Sequence, residues 1–235
     1  STTSLVARKL ILTLLVLLMT TLAWAQKLSG GGTEDNPYLI NNAADWTTFT
    51  NNVNKAVSPY VNAYYRLTAD LNLGTEAEPI TTVVGHQRNR QFKGNFDGGF
   101  HTIHLNMKRQ NDFAGLFGTT DNATIQNLTV DGTITTDHKF AGGFVGYSNN
   151  AAGNTTRLIN CISRIHIICD SIHEYIDYYG NVVEEGTKPF DCTHGGLVGQ
   201  NESGSISFEN CIFEGSITDS KAVKTANKCT GFIGW

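Results

Sequence analysis

Four copies of one five-residue phrase framed by glycine constrain this chain more than any other feature: Ala114-Gly115-Leu116-Phe117-Gly118, Gly142-Gly143-Phe144-Val145-Gly146, Gly195-Gly196-Leu197-Val198-Gly199 and Thr230-Gly231-Phe232-Ile233-Gly234. Repetition on this scale describes a stack of units, none of which buries its apolar face without its neighbours. The closing glycines, Gly118, Gly146, Gly199 and Gly234, are separated by 28, 53 and 35 residues. One winding therefore takes roughly 28 residues, enough for three short strands and their turns, and the later windings carry insertions. The glycines, with Gly115, Gly143, Gly196 and Gly231 inside the phrases, are expected at corners, where positive φ and close passage of the next coil both favour them. No P-loop lysine follows any of them, which argues against a phosphate cradle.

A second block follows each of the first three phrases, and the three copies align without gaps: Ile125 to Ile134, Leu158 to Ile167, Phe208 to Ile217. Apolar or small residues recur at alternate positions, as in the column of Leu128, Cys161 and Cys211 and that of Ile134, Ile167 and Ile217. A period of two means strands. Asn127, Asn160 and Asn210 share one column, so stacked coils would form an amide ladder. The expected architecture is an all-β parallel solenoid, in which each long parallel crossover is one turn about the axis.

With these phrases go Gly32-Thr33-Glu34-Asp35-Asn36-Pro37-Tyr38-Leu39-Ile40, Leu67-Thr68-Ala69-Asp70-Leu71-Asn72-Leu73 and Phe92-Lys93-Gly94-Asn95-Phe96-Asp97-Gly98-Gly99-Phe100-His101-Thr102-Ile103. On this set the chain resembles bacterial surface proteins carrying the GLUG motif. The resemblance implies a right-handed parallel β-helix and an adhesin-like role. Such repeats also accompany IgA-specific metallopeptidases as accessory regions, and many proteins with them have no assigned activity.

The N-terminus points outward independently. Arg8 and Lys9 precede an apolar run from Leu10 to Leu22, and Ala23-Trp24-Ala25 offers small residues where a signal peptidase reads. Residues 1–25 read as a signal peptide cleaved after Ala25. The run is too short to cross a bilayer core of ~30 Å as a helix, so no membrane span is expected after cleavage. Without residues 1–25, 15 basic residues face 21 acidic ones, a balance that argues against binding nucleic acid. The absence of an initiating methionine, and a fourth phrase that ends at Trp235 without its strand block, read as a piece of a longer chain.

Residues 26–66 are expected to link and cap, and 67–235 to form the β-helix. Trp46, Phe49 and Val53 fall on one helical face, with Asn42 at a capping position and Asp45 three residues on. This short helix would cover the open end of the solenoid and protect its strand edge. Tyr65, Leu67, Ala69, Leu71 and Leu73 alternate as the first strand. All five cysteines lie at or beyond position 161. Neighbouring coils ~4.8 Å apart leave two states open for Cys161 and Cys211, a disulfide or buried thiols acting as small hydrophobes. A bridge between Cys169 and Cys192 would close the longest insertion for ~3 kcal/mol. No Cys-x-x-Cys pair is present, and neither a metal nor any cofactor is expected.

That insertion, 170–191, carries Tyr175, Tyr178 and Tyr179 and then Gly180-Asn181 before Val182 and Val183. It reads as a hairpin standing off the solenoid. Its tyrosines are candidates for binding a host or microbial glycan or surface protein, against the plainer reading that they pack on the coil. Catalysis would need paired carboxylates or a carboxylate cage beside a base. The candidates are Asp97, His101, His86, Arg88 and Arg90, but Asp97 and His101 sit in a glycine turn where a structural role suffices. His173-Glu174-Tyr175-Ile176-Asp177 lacks the second histidine of a zinc peptidase. The sequence thus describes a non-catalytic, secreted or cell-surface repeat module that binds or presents. The alternative is an accessory substrate-binding region of a larger secreted enzyme.

Overall fold

The computed structural model describes residues 27–169, 193–218 and 228–235, together with the strand pairs at 175–176 and 182–183. Residues 1–25, expected as a signal peptide, and Tyr178, Tyr179, Gly180-Asn181 and Cys192 lie outside the described residues. In chain order the elements are β1 (Tyr38–Ile40), helix α1 (Ala43–Asn54), a 3-10 turn (Tyr60–Asn62), β2 (Tyr64–Leu67), β3 (Leu71–Leu73), β4 (Asn95–Asp97) and β5 (Thr102–Arg109). There follow β6 (Phe117–Thr120), β7 (Thr124–Thr136), β8 (Phe140–Gly142), β9 (Val145–Asn149) and β10 (Thr155–Ile168). The last are β11 (Tyr175–Ile176), β12 (Val182–Val183), β13 (Thr193–Gly195), β14 (Val198–Ser203), β15 (Ser205–Glu209), β16 (Ile212–Phe213), β17 (Ser216–Thr218) and β18 (Lys228–Thr230).

Among the described residues the architecture is all-β with parallel sheets and one α-helix. The largest sheet runs β1-β2-β4-β7-β10-β15, with β3 and β5 beside the far half of β7 and β16 and β17 beside that of β10. Two smaller sheets run β6-β9-β14 and β8-β13-β18. From β8 onward the chain visits the three sheets in a fixed rotation: β8, β9 and β10, then β13, β14 and β15. Each strand therefore lies over its counterpart one winding earlier, and matching residues stack. Ile125 lies opposite Leu158, which lies opposite Phe208, and Phe117 opposite Val145, which lies opposite Val198. The inward members, among them Ile103, Val130, Ile134, Leu158 and Ile167, are fully buried, each worth about 1.5–3 kcal/mol relative to exposure.

Helix α1 starts where Asn42 Oδ1 accepts the backbone N–H groups of Ala44 (2.9 Å) and Asp45 (3.0 Å). Asp45 reaches back to the N–H of Asn41 rather than of Asn42. Its apolar face packs between the sheets: the Phe49 ring lies 4.3 Å from Tyr65 and 5.8 Å from Phe96, and Trp46 lies edge-on to Phe96 and Phe117. The helix belongs to the first winding rather than preceding it, because β1 already pairs in parallel with β2, Tyr38 opposite Tyr65. The segment 26–66 is thus partly sheet. The single strand expected from Tyr65 to Leu73 is broken into β2 and β3, a step where Asp70 turns outward to accept the N–H of Thr102 at 2.8 Å.

The glycine phrases also act differently from the expectation of positive-φ corners. Gly118, Gly146 and Gly199 lie inside β6, β9 and β14, and, apart from Gly115 with its nearly extended φ of 159°, the positive φ angles fall elsewhere, notably at Asn127, Asn160 and Asn210. Close packing is what excludes a side chain. A Cβ on Gly146 would sit 2.7 Å from the Ala114 carbonyl oxygen, and one on Gly199 2.3 Å from that of Gly146. The same holds across Gly115 and Gly142 (2.8 Å), Gly143 and Gly196 (2.5 Å), and Gly196 and Gly231 (2.2 Å).

Candidate functional site

Three surfaces gather the side chains capable of chemistry. The first is the asparagine column. Asn127, Asn160 and Asn210 have φ of 54, 53 and 50°, the left-handed region that Asn tolerates better than most residues because of its short polar side chain. Asn210 Nδ2 donates to Asn160 Oδ1 at 3.1 Å, and Asn160 Nδ2 donates to Asn127 Oδ1 at 2.9 Å. Asn127 Nδ2 in turn donates to Asp97 Oδ1 at 3.0 Å, the same oxygen that accepts the N–H of Gly99 at 2.9 Å. Asp97 is therefore the terminal acceptor of a structural ladder. His101, the other turn candidate, pairs with Asp70 at 3.2 Å.

The second surface is the outer face of β5, β7 and β10. His104, Asp131 and Arg164 occupy one register row. His104 Nδ1 meets Asp131 Oδ1 at 2.7 Å, and Arg164 Nε donates to Glu214 Oε2 at 2.7 Å. In the adjacent row His166 Nδ1 lies 2.8 Å from Ser216 Oγ. Pairs this exposed contribute at most ~1 kcal/mol each. The backbone N–H of Thr102 is the main cause that holds the Asp70 carboxyl below its ordinary range.

The third is a cleft of about 480 Å³ between the end of α1, the segment 82–87 and the end of β5. Asn54 builds one wall: its Nδ2 donates to Val83 O, and its Oδ1 accepts the N–H groups of Gly85 (2.8 Å) and His86 (3.1 Å). Arg109 closes the floor, its NH1 donating to Thr81 O at 2.8 Å and its Nε to Asp112 O at 3.2 Å. Burial pushes the Arg109 guanidinium below its ordinary value, with Asp112 opposing. His86 enters the same cleft with its Nδ1 buried and without a hydrogen-bond partner among the described residues. Burial, then the charges of Arg109 and Arg90, push the imidazole down, so the ring is neutral at pH 7.

Beside the cleft, Phe113, Phe140 and Tyr147 form an aromatic cluster apart from the main core. Phe113 stacks on Phe140 at 5.6 Å and 13°. Arg88 lies over Tyr147 at 4.7 Å and Phe113 at 5.9 Å. Of the five residues weighed for catalysis, the cleft thus takes His86 directly, with Arg88 on its aromatic flank and Arg90 acting through its charge. Asp97 ends β4 and His101 lies between it and β5, outside the cleft lining. Arg109 and Asn54 carried no motif; they are recruited because strand β5 and helix α1 end at the same level.

The insertion contributes β11 and β12, which pair antiparallel with Tyr175 opposite Val183; Tyr178 and Tyr179 lie outside the described residues. Cys161 and Cys211 are both free thiols. The proposed Cys169–Cys192 bridge involves a residue outside the described set. No group of three or more His, Cys, Asp or Glu is placed to hold a metal ion among the described residues. Among them, too, no helix is long and apolar enough to cross a membrane.

No family model matches the chain. It is 33% identical over 141 residues to halomucin of Haloquadratum walsbyi, an alignment covering 54% of this chain and 2% of halomucin. The chain thus spans a very small part of that relative's length. A crystal structure from Bacteroides ovatus, of a protein provisionally named an immunoglobulin A1 protease, aligns with a TM-score of 0.44 and 14% identity over 86% of this chain and 84% of the other.

Proposed function

We propose that this chain is a non-catalytic, exported repeat module of the GLUG type: a right-handed parallel β-helix, exposed at a bacterial cell surface, that binds glycan or protein ligands. The observation that supports the reading is how three acidic side chains outside the cleft are spent. Asp97 is bound by Asn127 and Gly99, Asp121 by Lys93 at 2.9 Å, Ala151 N and Asn154, and Asp131 by His104. Acid–base catalysis needs a carboxylate free to exchange its proton with substrate, and these are fixed in the frame. What faces outward is a polar cleft lined by a fixed guanidinium, Asp112, the His86 imidazole and an aromatic flank, the mixture of few convergent polar groups and ring surface that binding sites use.

The test is an array of purified glycans and extracellular-matrix proteins probed with three forms: the chain without residues 1–25, its His86→Ala variant, and a form lacking 170–191. Binding lost in either altered form assigns the ligand to the cleft or to the hairpin. An array blank for the unaltered chain refutes the reading, as does measurable turnover of any arrayed glycan.

A further inference from the structure

Arg109 is a buried cation that the fold does not neutralise. It is 8 % exposed, yet both of its hydrogen bonds go to backbone carbonyls, Thr81 O and Asp112 O. No carboxylate lies within ion-pair distance of it among the described residues. Charge taken out of water is normally matched by a counter-charge, because its desolvation is otherwise not recovered. Asp112 lines the same cleft, but it is exposed and meets Arg109 through its main-chain oxygen, so its carboxylate acts only at a distance. A guanidinium carries five N–H donors; with two of them bound, three are left at the floor of a cleft of about 480 Å³. That volume falls within the ~300–1,000 Å³ of small-molecule sites.

We infer that this cleft is a subsite for a sugar ring carrying a carboxylate, with Arg109 as its counter-charge, an inference that rests on the glycan-binding reading above. A planar carboxylate matches the planar guanidinium and can take two of its N–H groups at once. His86 supplies a second contact. Its Nδ1 is buried with no hydrogen-bond partner among the described residues, a position that tolerates a bare lone pair better than an orphaned N–H. The proton therefore belongs on Nε2, the nitrogen left to donate to a ligand. Gln87 and Asn111 also line the cleft, and their side-chain amides offer donors and acceptors for ring hydroxyls.

A second cleft shows what a matched site looks like. It measures about 410 Å³ and is also polar, lined by Gln91, Asp121 and Asn150 among others. There Asp121 is paired with Lys93 at 2.9 Å, Gln91 donates to Thr120 O and Asn149 O, and Asn150 donates to Ser148 Oγ and Ser205 O. Its buried charge is answered within the fold. The Arg109 charge is not, and Arg90 adds a further positive charge that acts on His86. The preference for an anionic ligand is thus specific to the first cleft.

The chain is titrated with glucuronic acid, its methyl ester, glucose and glucose 6-sulfate, and binding is followed by ligand-observed NMR. Glucuronate should bind about tenfold more tightly than glucose or the ester, the scale of one charge-assisted hydrogen bond. Arg109→Lys keeps the charge without the fork and should lose about tenfold for glucuronate while leaving glucose unchanged. If that variant does not fold, His86→Phe, which keeps a ring and removes Nε2, should lose about threefold for glucuronate. The form lacking 170–191 should keep the whole preference. No saturable binding of glucuronate, equal affinity for glucuronate and its ester, or glucose 6-sulfate held as tightly as glucuronate each overturns the inference. Glycans retained on the array without any preference for the acid strike this inference alone; a blank array strikes the binding role with it.

Discussion

Asn160 and Asn127 hold the same left-handed backbone, φ 53 and 54°, and are joined by an amide hydrogen bond of 2.9 Å. Two demands meet in this pair. The coil must turn between its strand segments, and the amides must pair along the stack; only a short side chain with both a donor and an acceptor satisfies both. That is why asparagine, and not glycine, marks this corner.

Asn160→Ala should therefore cost more than a lone hydrogen bond. It places alanine in the left-handed region, at about 1–2 kcal/mol, and removes the bonds to Asn127 and Asn210, at about 1 kcal/mol each. Asn160→Gly keeps the turn and loses only the bonds. Urea unfolding of the two variants should rank alanine as the more destabilised; equal midpoints would separate the ladder from the turn and contradict the account.

The glycine column tests close approach without backbone strain. Gly146→Ala puts a methyl 2.7 Å from two backbone atoms, Ala114 O and Phe113 C, neither of which can swing away. Overpacking of this kind costs about 1–3 kcal/mol. Gly153→Ala, on an open turn with nothing within 4 Å but φ of +85°, carries only the strain of that angle. A thermal melt should show a marked loss for the first and a smaller one for the second.

These positions show what a single sequence discloses here. The alternate apolar columns and the asparagine file were legible because stacking repeats each requirement in every winding, so the columns align by eye. The helix over Trp46, Phe49 and Val53 was legible from its spacing and cap. What escaped was anything set by the meeting of non-repeating parts. β1 is three residues long and identifiable only by its partner β2. The cleft joins Asn54, His86 and Arg109 from separate segments with no shared spacing. The glycine phrases were visible, but sequence does not separate a need for positive φ from a need for space.

Phe49 ties helix α1 to the sheets through Tyr65, Phe92, Phe96 and Phe117. Phe49→Ala leaves a cavity in that aromatic group and should cost about 3–5 kcal/mol. It should also uncover the first sheet edges. Light scattering on the refolded variant is expected to show association that the unaltered protein lacks, and a monodisperse, equally stable variant would mean that the helix is dispensable.

Asp121 gives the fold an acid-sensitive joint. Burial alone would raise its carboxyl, but Lys93, the N–H of Ala151 and the amide of Asn154 together outweigh burial and hold it below its ordinary value. The folded state therefore prefers the carboxylate more than the unfolded chain does. The corresponding stability is present in full above the unfolded value of ~3.9 and disappears as pH falls through the lower folded value. Asp121→Asn cannot carry that charge at any pH, so it should lower the melting temperature at pH 7 and leave a smaller drop between pH 5 and pH 3 than the unaltered chain shows. Because Asp121 joins the segment at Lys93 to that at Ala151 and Asn154, two windings on, the loss should appear as earlier hydrogen exchange around 149–155 before global unfolding. A variant whose acid profile runs parallel to the original throughout would place the sensitivity at another carboxylate, with Asp70, held down by Thr102, the next to substitute.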